Sequence, residues 1–134
     1  MNDYLQYFRN NKGRLIHKCE DNLHVYDRHF SKYRGKPISI MEIGVSHGGS
    51  LQMHKDYFGK RCRIIGVDID PRCKDLEEEQ IEIMIGDQGD KDFLQSLIAM
   101  MPIIDILIDD GGHVPFQQIV SFEELFPHIS DQGI

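Results

Sequence analysis

From Ile38 onward the chain carries four short runs in which apolar residues follow one another almost without interruption. They are ISIMEIGV (Ile38 to Val45), RIIGVDI (Arg63 to Ile69), IEIMIGD (Ile81 to Asp87) and DILIDD (Asp105 to Asp110). Strict alternation would mark strands wetted on one face, whereas near-continuous Ile, Val and Leu mark strands covered on both. Stretches of helical texture or length separate the runs, so the pattern predicts an α/β fold with a doubly wound parallel sheet. Ahead of them, Leu15, Cys19, Leu23, Tyr26 and Phe30 recur at helix-like spacing, predicting two helices broken near Gly13 between about Asp3 and Tyr33. Gly35-Lys36-Pro37 ends that texture and divides the chain into a helical segment, 1–36, and an α/β part, 37–134. Pro115 then opens a helix through FQQIVSFEELF with one buried apolar face. Met100-Met101-Pro102 reads as a helix end on the core, and Glu77-Glu78-Glu79 as the solvated face of a short helix.

An open parallel sheet binds ligands outside the carboxyl ends of its strands. The unusual residues fall there: EIGVSHGGS after the first strand, VDID at the second, GDQ at the third and DDGGH at the fourth. Gly44, Gly48 and Gly49 permit a tight turn before a helix, which alone would also suit a dinucleotide. Glu42 argues otherwise. A carboxylate beneath that loop repels a pyrophosphate but can pair with an ammonium, and the spacing is G-x-x-x-G-G rather than G-x-G-x-x-G. A ligand with an amino-acid end and a nucleoside end fits better than NAD. Asp68 is placed to accept hydrogen bonds from ribose hydroxyls, and Asp87 to meet an adenine edge, each with a turn or helix cap as its plainer reading.

Charge narrows the partners. The net charge of -7 disfavours a nucleic-acid phosphate backbone. The first 36 residues hold eight Lys or Arg against four Asp or Glu, and we read that basic surplus as a solvated helix face. Cys19, Cys62 and Cys73 form no C-x-x-C pair and read as reduced thiols. With no apolar run of membrane-spanning length and no signal-peptide core, the expectation is a cytoplasmic protein with no membrane partner.

The succession E-I-G-V-x-x-G-G-S, G-V-D-I, I-G-D and L-I-D-D-G-G-H resembles class I S-adenosylmethionine-dependent methyltransferases, with their Rossmann-like sheet. More narrowly it resembles the branch of macrocin and mycinamicin sugar O-methyltransferases and cephalosporin-hydroxylase-like proteins, over roughly Ile38 to Ile134. That resemblance implies that Glu42, Gly44, Ser46 and Gly48 frame the methionine end of the cofactor, Asp68 the ribose, and Asp87 with Gln88 the adenine. It further implies Asp110 as a magnesium ligand and His113 as general base. Asp109, beside them, is expected at the cofactor, or as a helix cap or a partner orienting His113.

Three departures stand out. Ser46 replaces the middle glycine, which is tolerable at negative φ. His54 sits where relatives often carry Trp, and the chain has no Trp. The acidic pair that completes the metal site after a fifth strand has no counterpart before DQGI, so 37–134 reads as the cofactor-binding half of the fold with its C-terminal strands missing. His47, in the cofactor loop, is the other histidine of interest.

The chemistry implied is magnesium-dependent O-methylation of a hydroxyl on a sugar or glycosylated small molecule. A divalent cation stabilises the alkoxide, a neutral imidazole takes the proton, and near-attack geometry supplies much of the remainder. The alternative is a catalytically incompetent remnant that binds the cofactor or only self-associates. An unpaired edge beside the fourth strand predicts a homo-oligomer in either case.

Overall fold

The computed structural model describes residues 2–134. Its core is a four-stranded sheet, β1 (Ser39–Ile43), β2 (Arg63–Asp68), β3 (Ile81–Ile85) and β4 (Ile106–Asp109), in the spatial order β3-β2-β1-β4. Every pairing is parallel, with Ile40 opposite both Ile64 and Ile106, so the strands' carboxyl ends lie together. The four predicted runs are the four strands.

Burial on both faces explains their continuous apolar character. Ile40, Ile64, Ile81, Ile83, Ile106 and Ile108 pack on one side with Leu51, Met53 and Phe58 of α3 (Gly49–Phe58). Met41, Ile43, Ile65 and Val67 pack on the other with Leu94, Leu97 and Ile98 of α4 (Lys91–Met100) and Val120 and Leu125 of α5 (Pro115–Leu125). Strand residues alternate between the two clusters, as a period of two requires. Asp90 caps α4 through the Asp92 and Phe93 amides, and Met101 is buried beyond its last turn, as predicted.

The N-terminal helices are α1 (Asp3–Asn10) and α2 (Glu20–Phe30). Tyr4, Leu23 and Phe30 join the α3-side core. The gap between the helices is wider than predicted, because Leu15 and Cys19 lie outside both and are exposed. Segment 11–18 is instead a strap over the start of α3, and it requires Gly49: a Cβ there would stand 2.4 Å from the carbonyl oxygens of Arg14 and Leu15.

Two further expectations need correction. The β2–β3 connection holds only a 3-10 helix, Pro71–Leu76, and the glutamates follow it rather than forming its face. Glu77 accepts a hydrogen bond from the Ile83 amide at 3.0 Å, and Glu78 bridges Ile81. Along α5, only Val120, Ser121 and Leu125 are buried, while Phe116, Ile119 and Phe122 form an exposed stripe. Ile119 and Phe122, with Phe126, Ile129 and Ile134, line an apolar groove of about 790 Å³ beside β4. Ile134 pairs with the outer edge of β4, donating its amide to Asp105 and accepting from Leu107.

Candidate functional site

The first loop is set by two backbone demands. Gly44 adopts φ +94°, and a Cβ there would lie 2.2 Å from the Asp110 carbonyl oxygen, so the β1 and β4 loops touch backbone to backbone. Ser46 also adopts a positive φ, +52°, contrary to the negative value expected. In this conformation the amides of Val45 and Ser46 both reach Asp68 Oδ2, at 2.8 and 3.1 Å, while Asp68 Oδ1 accepts from the Asp70 amide at 3.0 Å. Burial acts to raise the Asp68 pKa, but these backbone N–H groups outweigh it and hold the carboxyl below its ordinary value. Asp68 thus clamps the loop as well as facing the crevice.

Glu42 plays a different part from the one expected. It is fully buried under α3, and its oxygens are taken: Oε1 by Ser50 at 2.7 Å and the Lys18 ammonium at 2.9 Å, Oε2 by His54 Nε2 at 2.6 Å. Both oxygens are thus engaged by the fold, and Glu42 lines the crevice as a buried hub. Burial pushes its pKa up, but His54, Lys18 and Ser50 prevail and hold it at about 2. His54 in turn meets the Tyr4 hydroxyl through Nδ1 at 2.9 Å. His54 thus bridges Glu42 and Tyr4, with one ring nitrogen engaged by each. The absence of Trp is thereby absorbed: a polar ring fills the space beneath the loop and bonds at both ends.

Lys18 corrects the reading of the basic N-terminal stretch as a solvated face. Its side chain is only 2% exposed, inserted between Glu42 and Asp110, and these contacts raise its pKa despite the opposing effect of burial.

The third and fourth loops are tied by Gln88. Its amide nitrogen donates to both oxygens of Asp109 at 3.2 Å, and its carbonyl accepts from the Gly112 amide at 2.7 Å. Buried and so engaged, Gln88 braces the loops from the wall of the smaller of two cavities. Asp109 likewise neither caps α5 nor contacts His113; it accepts from Ser121 Oγ at 3.1 Å and turns toward α5, outside the crevice. Asp87 accepts from the Gly89 amide at 2.7 Å and Gln117 at 3.0 Å.

Two adjoining cavities result. One, of about 370 Å³, brings together His17, Lys18, Gly44, Ser46, Asp68, Asp110 and His113. The other, of about 160 Å³, holds Gly86, Asp87, Gln88 and Gln117, and shares Gly44, Asp68 and Gly111 with the first. Gly48 stands back from both as the left-handed residue preceding α3. Asp110 and His113 follow β4 directly, and His113 is exposed at the rim. His47 contacts Ser46 Oγ and lies 5.2 Å from the His17 ring. Among the described residues no group of three or more His, Cys, Asp or Glu is arranged to hold a metal ion.

Sequence reasoning missed Lys18, Ser50 and Tyr4. Only Ser50 carried a local signal, standing eight positions after Glu42 at the start of α3.

No family model matches the chain. It is 40% identical over 116 residues to demethylmacrocin O-methyltransferase of Streptomyces fradiae, which covers 81% of this chain and 29% of that protein. Mycinamicin VI 2''-O-methyltransferase of Micromonospora griseorubida is 39% identical over the same shares. The chain thus spans about 30% of the length of these curated relatives. Among solved structures, the MycE methyltransferase from the mycinamycin biosynthetic pathway, in complex with Mg, SAH and mycinamycin VI, superposes with a TM-score of 0.82 and 34% identity, over 98% of this chain and 35% of that one. CalS11, a TDP-rhamnose 3'-O-methyltransferase, shares the fold at a TM-score of 0.64 and 16% identity, over 97% of this chain and 72% of that one. The Rossmann-like sheet expected from the strand pattern is the one found.

Proposed function

We propose that residues 37–134 form the cofactor-binding half of a methyltransferase that transfers a methyl group from S-adenosylmethionine to a hydroxyl of a sugar or glycosylated natural product, with magnesium. The observation that carries this reading is the single crevice at the carboxyl ends of β1, β2 and β4, where Gly44, Ser46, Asp68, Asp110 and His113 meet. Its resemblance in sequence and fold to sugar O-methyltransferases supports the reaction class and the glycoside acceptor.

The roles follow from placement. Asp68 offers its remaining lone pairs to the ribose while its backbone bonds keep the loop closed. The smaller cavity, bounded by Gly86 and Asp87, suits the base. Lys18 supplies the cation among the carboxylates of Glu42, Asp68 and Asp110 where the amino-acid end would lie. Asp110 would be one ligand of the magnesium ion: its Oδ1 has no hydrogen-bond partner among the described residues, and Mg²⁺ commonly takes only one or two carboxylates and keeps several waters. A bound cation would supply stabilisation of the acceptor alkoxide. A ring nitrogen of His113 takes the hydroxyl proton as the oxygen–methyl bond forms and the sulfonium carbon–sulfur bond breaks, its electron pair going to sulfur. We further propose a cytoplasmic protein that self-associates through the apolar groove beside β4.

The second reading, binding without turnover, is favoured because no group of three or more His, Cys, Asp or Glu is gathered to hold a metal ion among the described residues. Calorimetric titration with S-adenosylhomocysteine, with and without magnesium, tests the cofactor assignment. Saturable binding lost in a folded Asp68→Ala variant supports it, and no binding by folded wild-type protein overturns it. Transfer of labelled methyl to a glycoside then separates enzyme from remnant.

A further inference from the structure

The larger cavity is lined by three carboxylates, Glu42, Asp68 and Asp110, and among the described residues by a single lysine or arginine, Lys18. Its ammonium is shared between two of them, 2.9 Å from Glu42 Oε1 and 2.6 Å from Asp110 Oδ2. Glu42 and Asp68 are both held below the ordinary carboxylate range, so they stay ionised at neutral pH. Three carboxylates against one ammonium leave an excess of two negative charges, and the adjoining cavity adds Asp87 without a cation among the described residues. A cavity of about 370 Å³ is comparable in width to the Debye length of about 10 Å at 0.1 M salt, so a charge held in it senses the whole excess. Asp110 is the carboxylate most open to a ligand: its side chain is 42% exposed, and Oδ1 has no hydrogen-bond partner among the described residues.

We propose that the crevice discriminates by the charge on sulfur, holding the sulfonium of S-adenosylmethionine more tightly than the neutral thioether of S-adenosylhomocysteine, with Asp110 as the residue that sets the preference. This rests on the reading of the crevice as the seat of that cofactor. The two ligands share their nucleoside and amino-acid ends, so contacts to those ends cancel in the comparison. They differ by one methyl group and one positive charge. When the methyl passes to the acceptor oxygen, the electron pair of the broken carbon–sulfur bond stays on sulfur and cancels its charge. The product thereby loses an attraction that held the substrate, and leaves the more readily.

The test is calorimetric titration of wild type and Asp110→Asn with each ligand, a chelator being present so that no divalent cation alters the charge count. A buffer near pH 7.5, above the ordinary imidazole value of about 6.5, keeps His17 and His113 out of that count. One charge facing such an excess is worth about tenfold in affinity once solvent screening is allowed for. Wild type is expected to prefer S-adenosylmethionine by about that factor, and in Asp110→Asn, which keeps the size of an exposed side chain, the preference should fall to about threefold or less. Raising the salt from about 0.05 M to about 0.5 M shortens the Debye length about threefold and should shrink the wild-type preference likewise, with no variant needed. Equal or tighter binding of S-adenosylhomocysteine, or a preference that survives either change intact, overturns the inference and leaves the cofactor reading standing. Failure of folded wild type to bind either ligand overturns the cofactor reading, and the inference with it.

Discussion

Replacing Glu42 with Gln keeps the size of the side chain and deletes its charge. Burial alone would favour the neutral acid, yet His54, Lys18 and Ser50 hold the native pKa at about 2, against 4.5 for the ordinary side chain. A carboxyl depressed in the native state stabilises the fold above its unfolded pKa and loses that contribution as pH falls toward the native one. At 1.36 kcal/mol per unit, the separation corresponds to about 3 kcal/mol, in the range found for breaking a buried ion pair. Glu42→Gln should therefore be about 3 kcal/mol less stable near pH 7. The gap should narrow as pH falls from about 4.5 toward 2, where the wild type gains the proton that makes it, like the amide, neutral. Urea unfolding followed by far-UV circular dichroism near pH 7, 5 and 3 measures it, since the chain has no Trp to report by fluorescence. A gap below about 1 kcal/mol at neutral pH, or one that does not vary with pH, would refute the account of Glu42 as a charged hub.

Gly44→Ala forces a Cβ against the Asp110 carbonyl at φ +94°; we expect a loss of at least about 2 kcal/mol in thermal melts together with weaker S-adenosylhomocysteine binding. An unaltered melt would mean that the two loops do not touch. His113→Ala should leave cofactor affinity within about twofold while lowering methyl transfer by roughly 10²–10⁴, since the residue is exposed at the rim. Phe122→Glu, on the exposed stripe of α5, should shift light scattering toward monomer; a wild type already monomeric would contradict the proposed self-association.

The sheet was legible because strands covered on both faces must be apolar at nearly every position, and Ile40 with Met41, or Ile64 with Ile65, say so locally. Where an apolar residue meets solvent was less legible. Leu15 and Cys19 repeat at helix-like spacing by coincidence, and the strap they belong to is dictated by Gly49, far along the chain. In α5 the residues Phe116, Ile119 and Phe122 make as good a stripe as Val120 and Leu125, and nothing in the helix says which one the sheet covers. Within the crevice, Gly44, Ser46, Asp68, Asp110 and His113 converge as their strand-end positions predicted. Asp87 and Gln88 line the adjoining cavity, while Asp109 turns away because it is taken by Ser121, on a helix that only the folded chain brings beside it. Lys18 could not be read at all: a lysine is buried by its counter-charges, and Glu42 and Asp110 are remote in sequence.

The chain of contacts from Tyr4 through His54, Glu42 and Lys18 to Asp110 joins the first helix to the loop after the last of the four strands. Because β4 lies against β1 rather than beside β3, that loop reaches its place only after the chain between the two strands has been laid down. Such sequence-distant closure is slow and comes late in folding. During synthesis, then, this crevice cannot form before His113, the last of the residues that line it, has emerged.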